Sequence, residues 1–440
     1  MFLMMLLTAL AGPAEDHATG FALQREGRTE EALTHYQRCL DADPDYADCH
    51  WEIGWSHWKL SDWAKVVHHW EQVERIDPGR KEVAQWLPTA RENVRGSARL
   101  AEVLKEAPKE VRPPVPEGRT LRLRAVGDIM LGSDFPTPDL APHDGAELLA
   151  PVASLLRDAD LTFGNLEGPL CDGGTTTKCK GGGNCYAFRS PTRYAAYLKS
   201  AGFDLMSTAN NHSGDFGETC RRATEAALDA QGIAWSGPPG TIATVTHDGW
   251  KVGMVAFHTS SACNYVNDHD TAARLVEAAA ATHDLVIVSF HGGAEGSRAL
   301  RVPQGPETFL GENRGDLRAF SRAVIGAGAH VVFGHGPHVP RGMEVIDGHL
   351  VAYSLGNFAT WGKFNLSGHL GTSLVLDVTL DSRGQLIEGR ILPVKQHGRG
   401  EPKPDPEGTA IGLIRELSIK DFAENAPVIA ADGRFVAPTR

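Results

Sequence analysis

Five apolar runs in this chain stop at residues able to bind metals or move protons. LRLRAVGD ends at Asp128. ADLTFGN reaches Asn165 and then Glu167, with Gly168-Pro169 forcing a turn. FDLMSTANN ends at Asn210 and Asn211 and is followed by His212. HDLVIVSFH ends at His291, with Glu295 four residues on, and AHVVFGH ends at His335, with His338 in the same GHGPH segment. Neutral imidazoles, carboxylates and an amide oxygen are the donor mix of Zn²⁺, Mn²⁺ or Fe sites. A shared carboxylate can bridge two ions about 3.5–4 Å apart, as in two-metal hydrolases. His212 is then left over to move a proton. One polar strand ending means little, because strands often stop at turn residues. Five drawn from the ligand types predict one or two bound divalent ions (Mn, Zn or Fe).

Such a set needs a scaffold that brings five strand ends to one edge. From residue 120 apolar strands alternate with helical stretches, an α/β pattern, and ligands of such sheets collect beyond the carboxyl ends of strands. The glycines of GHGPH let backbone and imidazoles approach a common centre. This reading assigns residues 120–400 to one α/β domain and 401–440 to a C-terminal extension. Residues 15–106 read instead as helix–turn–helix, with Pro44 and Pro78 34 residues apart, the tetratricopeptide period. Gly20 with Gly54, Ala32 with Val66 and Tyr36 with Trp70 keep that offset, giving two units and a capping helix. Trp51, Trp55, Trp58, Trp63 and Trp70 read mostly as core, with a concave partner-binding surface as the functional alternative. His68-His69 reads as an exposed helix face. Residues 107–119, rich in proline, read as a semi-rigid linker.

The chain has 440 residues, 43 Lys+Arg against 55 Asp+Glu, a formal charge of −12 and no long basic run, which excludes nucleic acid as an expected partner. With 42% hydrophobic and 22% charged residues it is not a mainly disordered chain. Residues 1–14 carry an apolar run and the small-x-small triplet Ala9-Leu10-Ala11, a signal-peptide pattern that predicts export to the periplasm or envelope. No Lys or Arg precedes the run, so a cytoplasmic location follows if it is not a signal. The run is too short to span a membrane, and no transmembrane helix is expected. Of seven cysteines, Cys171, Cys179 and Cys185 crowd a Gly-rich segment, while Cys39 and Cys49 flank a predicted inter-helix turn. Such density predicts disulfides, including oxidation of the 171–185 cysteines, with connectivity open and at least one thiol left over. The glycines at 181–183 precede no Lys-Ser/Thr and do not make a phosphate loop.

The segments VGDIMLG, NLEGPL, YAFRSPTRYAAYLKSAGFDLMSTANNHSGDFG, SFHGGAEG, GHGPHVPRGMEV and YSLGNF together resemble the CapA family of poly-γ-glutamate capsule proteins, within the calcineurin-like metallophosphoesterase superfamily. The resemblance implies a four-layer α/β/β/α sandwich. It implies that Asp128 is the first-strand ligand, Glu167 the bridging carboxylate, Asn211 the ligand amide and His212 the catalytic histidine. His291, His335 and His338 fill the remaining ligand positions. Where the superfamily's first motif has a histidine, this chain has Met130, and the closing motif is one residue longer. The first metal position is thus ligand-poor, and Glu295 or water is left to complete it. Asn165, Asn210 and Asn357 are expected to support the site or meet substrate. Arg189, in FRSP, either contacts an anionic substrate or buttresses a loop.

Two functions follow as expectations. One is a metal-dependent hydrolase in capsule or envelope polymer biosynthesis, cleaving a phosphoester or an amide-linked anionic polymer with a metal-activated water. The other is a non-catalytic polymer-binding or export component whose tetratricopeptide segment recruits a protein partner.

Overall fold

The computed structural model describes residues 12–105, 115–176, 178 and 186–439. The expected signal segment lies outside them except for its last three residues, and most of the expected linker does too. The chain divides into two compact units, residues 1–98 and 99–440.

The first unit is built from α1 (Pro13–Arg25), α2 (Thr29–Ala42), α3 (Ala47–Lys59), α4 (Trp63–Ile76) and the start of α5 (Lys81–Lys105). Pro44 and Pro78 stand in the turns after α2 and α4, where a residue lacking an N–H does least harm. Each helical hairpin closes on a glycine. A Cβ at Gly20 would lie 2.7 Å from the ring of Tyr36, and one at Gly54 2.0 Å from the indole of Trp70. The same close approach therefore recurs at the 34-residue offset. Trp63 and Trp70 are buried, and Trp51, Trp55, Trp58 and Trp86 pack half-buried around them. A disulfide joins Cys39 on α2 to Cys49 on α3. The expectation of an exposed His68-His69 face holds only for His68. His69 is part-buried, with Nδ1 2.9 Å from Nδ1 of His50, because residues 50 and 69 lie on the facing sides of α3 and α4.

The second unit alternates strand and helix: β1 (Leu121–Met130), α6 (Ala153–Arg157), β2 (Leu161–Leu166), α7 (Tyr194–Ala201), β3 (Leu205–Ser207), α8 (Gly217–Ala230), β4 (Trp250–His258), α9 (His269–Ala280), β5 (Leu285–His291), α10 (Leu317–Gly326), β6 (Val331–His335), β7 (Asn357–Thr360) and, near the C-terminus, α11 (Thr409–Phe422). Among the described residues, β1 lies inside a ten-stranded sheet, with β2 and β3 parallel on one side and residues 372–380 antiparallel on the other. β4, β5 and β6 are parallel neighbours in a seven-stranded sheet.

Both sheets are buried on both faces, which is why their strands read as near-continuous apolar runs. Leu123, Ala125 and Phe163 of the first sheet share one core with Met254, Ile287 and Phe333 of the second. The rings of Phe163 and Phe333 stack at 5.5 Å. The outer face of the first sheet packs Val126, Leu166 and Met206 against Leu156, Leu198 and Leu228 of its helices. The outer face of the second packs Val255, Val286 and Val332 against Leu275, Phe320 and Val324. These are four layers, helix–sheet–sheet–helix. Each buried Val, Leu or Phe contributes roughly 1.5–3 kcal/mol, so the inter-sheet core holds the strand ends in register.

The boundary expected at residue 400 is not a structural one. Residues 401–404 pair with the strand at 386–397, residues 434–436 join the same sheet, and Ile411, Ile414 and Phe435 enter the inter-sheet core. Disulfides are present as expected, and the structure supplies the connectivity that the sequence leaves open. Cys171 bonds Cys220 on α8, outside the Gly-rich segment, while Cys179 and Cys185 lie outside the described residues. Cys263 is a buried free thiol. Among the described residues no helix is long and apolar enough to cross a membrane.

Candidate metal centre

The two sheets present two registered rows at their facing carboxyl ends. In the first sheet Asp128 of β1 pairs in register with Asn165 of β2 and Asn357 of β7. In the second, His291 of β5 is in register with His258 of β4 and His335 of β6. One row is amide–carboxylate–amide, the other three imidazoles. The rows meet: Asn165 Nδ2 donates to Asp128 Oδ1 at 2.8 Å and lies 3.3 Å from His291 Nδ1, and His335 Nδ1 is 3.3 Å from Asp128 Oδ1.

Two glycines make these approaches possible. A Cβ at Gly127 would sit 1.9 Å from the carbonyl of Gly356, so only glycine lets β1 meet the segment leading into β7. Gly336 has φ 114° and would put a Cβ 2.5 Å from the carbonyl of Gly292. His338 follows at φ +62°, a costly left-handed conformation for a non-glycine residue. It turns the ring back to the site, where Nδ1 reaches Asp128 Oδ2 at 3.0 Å and Asn357 Oδ1 at 3.1 Å. With Nδ1 thus committed, Nε2 faces Glu167 Oε1 at 3.7 Å.

Asp128, Glu167 and His291 each offer a ligand atom within 4.8 Å of the other two, and all three are buried. Six buried atoms of the expected site residues lack a hydrogen-bond partner: both carboxylate oxygens of Glu167, Oδ1 of Asn211, Nε2 of His291 and both ring nitrogens of His335. The 3.3 Å approach of His335 to Asp128 is close without hydrogen-bond alignment. At about 1–3 kcal/mol each, six such atoms would cost roughly 6–18 kcal/mol, comparable to the stability of a whole domain. A divalent cation can take the carboxylate and amide oxygens and one nitrogen of each imidazole and would remove most of that cost, and the mix of carboxylate, amide and imidazole suits Mn²⁺, Zn²⁺ or Fe. The residues present therefore fit a metal ion.

The electrostatics agree. Burial pushes Glu167 well above the usual carboxylate range, and Asp128 and Glu295 add to it against the pull of His338. Burial would also raise Asp128, but its contacts with His335 and His338 hold it low. Burial lowers His291 well below the ordinary imidazole value, against Asp128, which leaves it neutral as a ligand must be. Burial likewise opposes charge on His338, yet Glu167, Asp128 and Glu295 overrule it and raise it to about 10. These carboxylates thus favour a positive charge between them.

His212 stands beside this group. Its Nδ1 bonds Asp215 at 2.8 Å, its Nε2 faces Glu167 Oε1 at 3.9 Å, and its ring lies 4.1 Å from that of Phe188. Burial lowers its pKa, opposed by Asp215. Asp215 also accepts the Phe188 N–H at 2.8 Å and pairs with Lys178, so the partner of His212 is itself fixed. Asn210 is turned to the scaffold: its amide donates to Asn165 and to the carbonyl of Leu166, and its oxygen accepts the N–H of His212. Glu295 lies at the rim, 4.0 Å from His338 Nε2. Arg189 is the buttress rather than a member of the group. It bonds Asp134 at 2.6 Å and the Gly174 carbonyl, and lies over the rings of Phe135 and Phe216.

Three residues escaped the sequence reading. His258 ends an apolar run as the other histidines do, and the same rule would have found it. Asp215 lies three residues after His212, a spacing that a search for its partner would test. Arg314, 2% exposed, comes from a short hairpin (residues 307–315) that carries no periodic signal.

Fold and site define a two-sheet α/β protein with a buried carboxylate–imidazole centre between the sheet ends. The chain belongs to the family described as bacterial capsule synthesis protein PGA_cap, whose model matches residues 122–360, more than half of its length. It is 26% identical over 263 residues to the capsule biosynthesis protein CapA of Bacillus anthracis, covering 55% of this chain and 60% of that protein. It is 25% identical over 251 residues to the PGA biosynthesis protein CapA of Bacillus subtilis strain 168, covering 53% and 61%. The chain thus spans about three fifths of the length of these relatives. Among solved structures it is similar to a purple acid phosphatase from yellow lupin seeds, with a TM-score of 0.33 and 10% identity, over 72% of this chain and 58% of that one.

Proposed function

We infer that the chain is a metal-dependent hydrolase of capsule or envelope polymer biosynthesis, of the poly-γ-glutamate type named for its relatives. The observation that carries this reading is the set of six buried polar atoms without hydrogen-bond partners, together with a histidine already oriented by an aspartate. In this reading Asp128, Glu167, Asn211, His291, His335 and His338 hold the metal, and Asn165, Asn210 and Asn357 fix their orientation. A bound divalent ion would polarise the scissile group and make a water acidic enough to attack at neutral pH. His212, with its Nδ1–H held by Asp215, takes a proton from solvent at Nε2, and the imidazolium so formed, which Asp215 stabilises, passes that proton to the leaving group. Glu167, whose carboxyl burial favours in the protonated form, would release that proton when an ion binds and then supply negative charge to it.

Two disulfides among the described residues favour an oxidising compartment, in line with export. The recurring glycine–aromatic contact of the helical unit favours a tetratricopeptide-like repeat, whose partner would be another envelope protein. A non-catalytic polymer-binding role is the second reading. It is favoured by Met130, whose sulfur accepts the Gly132 N–H at 3.3 Å and so offers no strong ligand.

The test is metal content of the purified protein together with hydrolysis of phosphoester and γ-glutamyl substrates. Bound Mn, Zn or Fe with turnover that a chelator abolishes is the expected result. Bound metal without turnover on either class would favour the second reading, and a metal-free protein active on either would overturn the first.

A further inference from the structure

We propose that Phe364 and Phe188 form an apolar subsite beside the metal centre, and that it takes the methylene chain next to the scissile group of an aliphatic carboxylic acid or amide. This rests on the metal-centre reading above and adds to it the class of substrate that the centre admits.

The two rings connect the proton donor of that reading to one of its metal ligands. The ring of Phe188 lies 4.1 Å from that of His212 and 5.2 Å from that of Phe364. Phe364 in turn meets the ring of His338 edge-on at 5.4 Å. Phe188 is 3% exposed, whereas Phe364 is half-buried, so the open surface of this wall belongs to Phe364. Apolar surface left open beside a charged centre gains by being covered with hydrocarbon.

Phe364 is held in place although it stands in the loop after β7. At the near end the Trp361 N–H donates to the Met130 carbonyl at 2.8 Å, and the Gly362 N–H donates to that of Arg399 at 2.7 Å. Gly362 has φ +83°, and a Cβ there would lie 2.6 Å from Asp139 Oδ2, so the bend before Phe364 requires glycine. At the far end the Leu370 carbonyl accepts Asn357 Nδ2 at 3.1 Å, while Asn357 Oδ1 faces His338 Nδ1 at 3.1 Å. One amide therefore ties the loop to the histidine that Phe364 touches. A phosphoryl group set against this wall would turn an oxygen towards carbon and leave it without a donor, which is unfavourable out of water. Arg189 and Lys178 are already paired with Asp134 and Asp215. Arg314 is paired with Glu295, and its Nε donates to the Gly293 carbonyl at 3.0 Å. A methylene set against the wall loses only water. The wall thus selects an acyl group flanked by methylenes over a phosphoryl group.

The experiment measures the binding of formate, acetate, propanoate and butanoate to Mn²⁺-loaded full-length protein by titration calorimetry. In the wild type, affinity should rise about two- to fourfold with each added carbon, as hydrocarbon leaves water. Phe364→Ala should flatten that rise, and Phe364→Leu, which keeps an apolar side chain, should restore most of it. A merely structural role would weaken all four acids alike and keep the slope, so an unchanged slope in Phe364→Ala would overturn the inference. Equal affinity for the four acids in the wild type, or no binding of any, would overturn it too, and needs no variant to fold. A wild-type protein that takes up no Mn²⁺ would instead overturn the metal-centre reading on which the inference rests.

Discussion

The molecule has two histidine-rich regions, and they treat the same side chain in opposite ways. Between α3 and α4, His50 and His69 share a 2.9 Å contact, and the rings of His57 and His69 stack at 6.1 Å. His50 Nε2 is spent on the Pro44 carbonyl, so its Nδ1 accepts from His69. Burial, His50, His68, His57 and Lys65 all act in one direction and push His69 down to about 3. At the strand ends, by contrast, His338 lies among Asp128, Glu167 and Glu295 and is raised to about 10. A cluster of imidazoles alone therefore makes a neutral packing contact. Imidazoles interleaved with buried carboxylates that lack other partners make a cation site.

The sharpest way to break this contrast is at His212. His212→Ala should keep its bound metal yet lose roughly 10²–10⁴-fold in turnover on a substrate with a poor leaving group. An activated leaving group needs little protonation and should lose much less. Equal losses on both would argue against the acid role, and loss of metal would make His212 a ligand.

The helical region should respond to acid rather than to metal. His69 titrates near 6.5 in the unfolded chain but near 3 in the folded one. Its contribution is thus present above pH 6.5 and is lost as pH falls towards 3, by an amount on the order of 2–4 kcal/mol. Thermal unfolding of the full chain followed by tryptophan fluorescence should show this destabilisation, and His69→Leu should flatten it without changing metal content. A pH-independent transition in the wild type would contradict the assignment.

A smaller difference separates the two disulfides. Cys171–Cys220 closes a separation of 49 residues and Cys39–Cys49 one of 10. Removing either should cost roughly 2–4 kcal/mol, with the longer loop costing about 1 kcal/mol more. Denaturant melts of the Cys171→Ser/Cys220→Ser and Cys39→Ser/Cys49→Ser pairs check the order.

Much of the candidate site was legible because its buried carboxylates and imidazoles stand at strand ends. A period-two or continuous apolar run that halts at Asp128, Glu167, His291 or His335 marks both the strand and the edge it points to. His258, in register with His291, obeys the same rule. What the rule cannot reach are residues placed by tertiary folding alone. Arg314 arrives on a hairpin that packs under the loop after His291, and Cys220 meets Cys171 only because α8 folds back along the segment that Cys171 opens. Residues 401–440 looked like a tail because their strands are two to four residues long, set among Gly, Pro and Asp. Their place in the sheet is decided by Phe435, which fills the space over Gly389, where a Cβ would lie 2.1 Å from its ring. The 34-residue period of the helical unit was plain for the opposite reason, since each hairpin repeats one local contact.

The central claim is that a cation belongs at the strand ends and not among the helical histidines. Crystals grown with Mn²⁺ and measured at the manganese absorption edge test it directly. The account predicts an anomalous peak about 2.0–2.3 Å from donor atoms of Glu167, His291 and His335. A peak between His50 and His69 with none at the strand ends would contradict it.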